Sequence, residues 1–150
     1  MSTIGKIMNY VNKIYLRINE VLINWHDVVL IFIRFWMAKV FFMAGLTKID
    51  NWESTLSLFE YEYAVPFLPV AFAALSATFF ELAMPVLIIL GLFTRLAALP
   101  LLVMTAVIEL TYGSFPEHAY WALLLGVLMT YGAGKFSIDQ YFMKSMIDKP

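Results

Sequence analysis

Asp27-Val-Val-Leu-Ile-Phe-Ile-Arg34-Phe-Trp-Met-Ala38-Lys39-Val-Phe-Phe-Met-Ala-Gly45-Leu-Thr-Lys48 has the length and apolar content of a membrane span, yet charged residues sit inside it. On a helix, Arg34, Ala38, Phe41, Gly45 and Lys48 follow at steps of four, three, four and three, so they share one face. Ala38 and Gly45 let a second backbone approach closely along that face. Arg34 belongs inside a bundle, because an arginine facing lipid near mid-depth costs several kcal/mol. Its partner is expected to be an acid on another span.

The composition agrees. The chain is 62% hydrophobic and 14% charged, against roughly 45–50% and about 25% in soluble domains. At ~20 residues per span, 150 residues hold one domain of about four spans and their connections. Cysteine is absent, which excludes disulfides, thiolate metal sites and iron–sulfur clusters. No basic stripe interleaved with aromatics is present, so a nucleic-acid partner is not expected.

Outward from the central run, residues 1–26 read as an amphipathic segment on the cytoplasmic face rather than a signal peptide. Ile4, Ile7, Val11, Ile14, Ile18, Val21 and Trp25 recur every three or four positions, and Lys6, Asn9, Lys13, Arg17 and Glu20 occupy much of the remainder. Residues 27–134 form the membrane domain and 135–150 a cytoplasmic tail. After the first span, residues 47–69 are polar and aromatic. Asp50 and Glu53 have capping-box spacing, and Trp52, Leu56, Phe59 and Tyr63 form an apolar stripe, which predicts a short interfacial helix stopped by Pro66 and Pro69.

The second span, 71–92, carries Glu81 near its centre, with Ala74, Thr78 and Pro85 on the same side. Pro85 lacks the N–H that would pair with the Glu81 carbonyl. The third, 96–112, opens after Thr94-Arg95 and contains Pro100 and Glu109. The fourth, 120–131, ends at Gly132-Ala133-Gly134 before an amphipathic tail. Lys6, Lys13, Arg17, Arg95, Lys135, Lys144 and Lys149 flank one side and Lys48 the other, so both termini are expected in the cytoplasm.

With that orientation Arg34 lies roughly 10 Å and Glu81 roughly 16 Å from the inner ends of their spans. This predicts a buried Arg34–Glu81 ion pair, with Lys39 competing for the same carboxylate, Lys48 near Glu109 at the outer rim, and Thr78 and Tyr112 adding hydrogen bonds. Such a constellation is either a structural clasp or a site for a polar headgroup or a proton. His26 and His118 fall on opposite sides of the membrane, so neither a bis-histidine haem nor a shared metal is expected. Met37, Met43, Met84, Met104 and Met129 read as flexible filler rather than a copper(I) ligand set.

Arg34, Gly45 and Lys48, then Glu81, then Gly91-x-x-Thr94-Arg95-x-Ala97-Ala98, then Gly132-x-Gly134-x-x-Ser137-x-Asp139 together resemble the DoxX family over about residues 28–139. Within it, Trp25-His26-Asp27, Gly45-Leu-Thr-Lys48 and Leu58-Phe-Glu-Tyr-Glu-Tyr-Ala-Val-Pro66 look most like the HvfX branch. Ala133 stands where the family often has proline, and Glu109 is outside the pattern. The resemblance implies an all-α integral membrane four-helix bundle of the bacterial inner membrane, found in systems that mature copper-binding, post-translationally modified peptides. Other members of the family serve thiosulfate:quinone oxidoreductase or redox defence enzymes. The leading expectation is therefore an accessory membrane component with protein partners and no complete active site of its own, homo-oligomerisation being left open. The alternatives are an oxidoreductase subunit that places quinone near Arg34 and Glu81, or a small-solute or metal-ion carrier.

Overall fold

The computed structural model describes residues 3–147 and is helical throughout, with no strand among the described residues. Helix α1 runs Thr3–Asp50, α2 Trp52–Leu58, α3 Val70–Leu90, α4 Thr94–Thr111, α5 Pro116–Tyr131 and α6 Ile138–Ile147. A π-helical turn, Phe59–Tyr63, extends α2. Three of these helices, α1, α3 and α4, are long and apolar enough to cross a membrane.

Helix α1 has no proline, and its glycines, Gly5 and Gly45, lie near its two ends, so nothing breaks the ladder between them. At 1.5 Å per residue its 48 residues extend roughly 72 Å, more than twice the ~30 Å of a hydrocarbon core. The boundary expected at residues 26 and 27 is not a helix end. Residues 1, 2 and 148–150 of the expected terminal segments lie outside the described residues. The side chains of residues 7–23 are exposed, and burial begins at Asp27 and Leu30.

From Asp27 onward α1 packs against α3 and α5, and α4 packs against the same two helices. The core between them is Leu30, Met37, Phe41, Ile88, Ala97, Ala98, Leu101, Leu125 and Leu128. The small-residue face is used as its spacing predicts. Ala38 is fully buried, and a Cβ on Gly45 would lie 2.9 Å from the Leu82 side chain and 3.1 Å from that of Glu81. Antiparallel α1 and α3 touch there almost backbone to backbone.

The first loop contains the expected short helix, but its cap is Asn51 rather than Asp50. The Asn51 Oδ1 accepts from the Ser54 N–H at 2.9 Å, one residue later than the capping-box reading placed it, because α1 persists through Asp50. The Thr55 hydroxyl donates to the Lys48 carbonyl at 2.9 Å and folds α2 back onto the end of α1. Pro69 precedes α3, while Gly91 at φ +67 ends it in a left-handed turn.

Candidate functional site

Arg34 does not reach Glu81. Its guanidinium donates instead to backbone carbonyls: Nε to Ile88 at 2.8 Å, Nη1 to Phe136 at 2.8 Å and Ala133 at 3.2 Å, and Nη2 to Ile89. The expected pairing fails on register. Gly45 is level with Glu81, so Arg34, eleven residues earlier, lies roughly 16 Å further along, level with the C-terminal end of α3. Helix ends leave their last carbonyls without intrahelical donors. Arg34 supplies those donors for α3 and for the turn after α5 together.

Of the residues that carried the family resemblance, Gly91, Thr94, Arg95, Gly132, Gly134, Ser137 and Asp139 lie around this clasp, whereas Gly45, Lys48 and Glu81 lie further along α1 and α3. The Asp139 carboxylate accepts from the Phe93 and Thr94 N–H groups at 2.8 and 3.2 Å, capping α4, and its own N–H donates to the Gly91 carbonyl at 2.9 Å. Ser137 Oγ donates to the Gly134 carbonyl at 2.6 Å. A Cβ on Gly91 would come within 2.6 Å of Ser137 Cβ, and one on Gly132 within 3.3 Å of Arg95 Nε. Asp27 Oδ1 accepts from the Lys135 N–H at 3.0 Å, and the Lys135 ammonium lies 3.2 Å from Oδ2. Sequence reading noted Asp27 and Lys135 separately and missed the pair. The glycine turn between α5 and Lys135 was the signal that the chain could fold back onto α1.

Glu81 is paired with Lys48. The ammonium donates to Oε1 at 2.8 Å and lies 2.7 Å from Oε2, out of line for a hydrogen bond, so Oε2 is a buried acceptor in ionic contact only. The side chains are 10% and 4% exposed, so the charges compensate one another away from water. Thr78 takes no part, because its hydroxyl donates to the Ala74 carbonyl in its own helix at 2.8 Å. Lys39 is exposed on the opposite side of α1 and does not compete.

Above the pair lies a chamber of about 420 Å³. Its walls are Ala73, Ala77 and Phe80 of α3 and Leu99, Val103, Met104, Val107 and Ile108 of α4; Phe59, Tyr63, Val65 and Leu68 close one end. Its floor is Lys48 and Glu81. Ser76 and Thr111 also line it, but their hydroxyls donate to the Ala73 and Val107 carbonyls. Burial, and secondarily the Glu81 charge, pushes the Tyr63 phenol above its usual range, so it stays neutral. Lys48, Glu81 and Tyr63 are the remaining polar residues of an otherwise apolar lining.

Glu109 stands apart from Lys48, contrary to expectation. It accepts from the Ser114 hydroxyl, and its Oε2 lies 2.7 Å from His118 Nδ1. The short α4–α5 connection brings the three together. Tyr63, Tyr112, Phe115, His118, Trp121 and Phe41 continue from there as successive ring contacts with centroids 5.3–5.8 Å apart. Tyr112 thus contributes ring packing beside the chamber rather than a hydrogen bond to the pair. At the other end of α5 the His26 ring packs on Tyr131, so the two histidines occupy opposite ends of that helix.

Among the described residues no group of three or more His, Cys, Asp and Glu side chains is arranged to hold a metal ion. No curated protein and no solved structure matches the chain. The DoxX family model matches residues 29–113, which takes in the small-residue face of α1, all of α3 with Glu81, and all of α4, more than half of the sequence. This chain belongs to the DoxX family of membrane proteins.

Proposed function

We propose that this chain is an accessory subunit in the bacterial inner membrane, supporting a redox or copper-binding-peptide maturation complex, as its resemblance to the HvfX branch implies. The observation that carries the reading is the exposed apolar stripe on the first half of α1. Ile7, Val11, Ile14, Ile18 and Val21 form this stripe. Isolated helices gain little stability from propensity alone, so this half needs a bilayer surface or a protein to rest on. Lying along an anionic leaflet, as Lys6, Lys13 and Arg17 suggest, requires α1 to bend near Asp27; an uninterrupted rod favours a partner helix.

On this reading α5 is the fourth span. Its 16 residues extend roughly 24 Å, and flanking residues complete the crossing with both termini cytoplasmic. The charge set then divides in two: Arg34, Asp27 and Asp139 hold the inner end together, whereas Lys48 and Glu81 line the chamber. Gentle extraction of tagged chain from native membranes tests the proposal. A second protein is expected at fixed stoichiometry, lost when Val11 and Ile18 are both changed to Glu. Purified chain that by itself turns over a quinone, or carries copper ions into vesicles, overturns it. The chamber favours one second reading, a quinone-linked oxidoreductase subunit, for which bound quinone in the same preparation is the discriminating result.

A further inference from the structure

We infer that the chamber takes an uncharged, lipid-soluble amphiphile, whose carbonyl oxygen accepts from the Lys48 ammonium and whose apolar body lies between α3 and α4. The inference stands on the chamber and survives failure of the accessory reading. An ammonium carries three N–H donors, and Glu81 engages one in a hydrogen bond and a second only ionically. Lys48 also lines the chamber, so its remaining donors lie beside an otherwise apolar space. Tyr63, whose phenol stays neutral, also lines the chamber.

Head charge follows from the pair. Lys48 and Glu81 sum to zero. A carboxylate head would set a second anion beside Glu81 Oε2, which already lacks a donor, and a quaternary ammonium would face Lys48. In an apolar enclosure either net charge is costly, whereas a carbonyl adds an acceptor without one. The volume falls at the lower end of the ~300–1,000 Å³ typical of small-molecule pockets, suited to a compact head and part of one chain rather than a two-tailed lipid. Leu99 and Val103 line the chamber and are exposed on the outer face of α4, giving entry from the bilayer side. Acyl amides or esters and quinone rings share this chemistry.

The test is photolabelling of the full chain in nanodiscs with a diazirine-bearing dodecyl amide, beside the matched carboxylic acid and trimethylammonium probes. Amide adducts are expected on Phe80, Val103 and neighbouring residues, with the two charged probes weaker by roughly tenfold or more, the worth of one charge-assisted hydrogen bond. Lys48→Met/Glu81→Leu should remove that preference. Ala77→Trp should block the chamber and abolish labelling while leaving the ion pair in place, which keeps the test decisive if the double variant fails to fold. Displacement by a monoacylglycerol or by a short-chain benzoquinone identifies the source of the carbonyl. Displacement by neither, equal labelling by charged probes, or labelling that survives Ala77→Trp overturns the inference.

Discussion

Replacing Arg34 by Met removes a donor fork that joins three chain segments. Of its four acceptors, the Ile88 carbonyl also accepts from Gly91 N–H at 3.1 Å, leaving Ile89, Ala133 and Phe136 without another donor. Each such carbonyl costs about 1–3 kcal/mol when its partner is deleted. Because these lie near one end of the bundle, where water can replace part of the loss, we expect a total of about 3–5 kcal/mol. For a chain of this size that corresponds to a fall of roughly 6–20 °C in Tm, read by tryptophan fluorescence in detergent. Arg34→Lys keeps the charge but cannot serve both α3 and the 133–136 turn from one tetrahedral head, so it should recover less than half. A double-mutant cycle separates this role from the ion pair. Arg34→Met and Glu81→Gln should add within about 0.5 kcal/mol, while Lys48→Met and Glu81→Gln should not. A Tm for Arg34→Met within about 2 °C of wild type, or strong coupling of Arg34 to Glu81, would refute the register argued above.

Lys48→Met alone leaves Glu81 buried without its counter-ion and should cost about 3–5 kcal/mol, whereas Lys48→Met/Glu81→Leu should regain most of it in the same melt. Asp139→Ala strips the cap from α4 and should cost about 0.5–2 kcal/mol by urea-dependent unfolding in mild detergent, with Asp139→Asn closer to wild type. Gly91→Ala forces a Cβ to within 2.6 Å of Ser137 Cβ at a left-handed φ. It should reduce folded yield on size-exclusion chromatography far more than Ala97→Gly does. Tyr63 should ionise above the ordinary tyrosine range in a titration at 295 nm, a component that Tyr63→Phe removes. Because its folded-state pKa is raised, its contribution to stability is intact below the unfolded value near 10 and declines as pH rises through the folded one.

The helices were legible in the residues because apolar runs, prolines and glycines are local signals: α3, α4 and α5 begin and end close to where Pro69, Gly91 and Gly132 place them. The small-residue face of α1 was legible for the same reason. The partner of Glu81 was not. Depth had to be measured from an assumed inner end at residue 27, and α1 has no end there. How far α1 and α3 slide past each other is set by the contact of Gly45 with Leu82 together with the Lys48–Glu81 and Arg34–Ile88 contacts, and no local pattern encodes that offset. The Glu109–His118 contact was not legible for a different reason: Glu109 was expected beside Lys48 at the outer rim, and only the fold of the α4–α5 connection brings it to Ser114 and His118.

The Arg34 clasp also has an order in time. Two of the carbonyls that Arg34 serves lie 99 and 102 residues downstream of it, and the carboxylate that caps α4 arrives 45 residues after Thr94. While the nascent chain leaves the ribosome, the early helices therefore reach the bilayer with a cation and a helix start both awaiting residues not yet translated. A chain cut before Ala133 would keep its apolar helices but lack the turn whose carbonyls Arg34 joins to the end of α3.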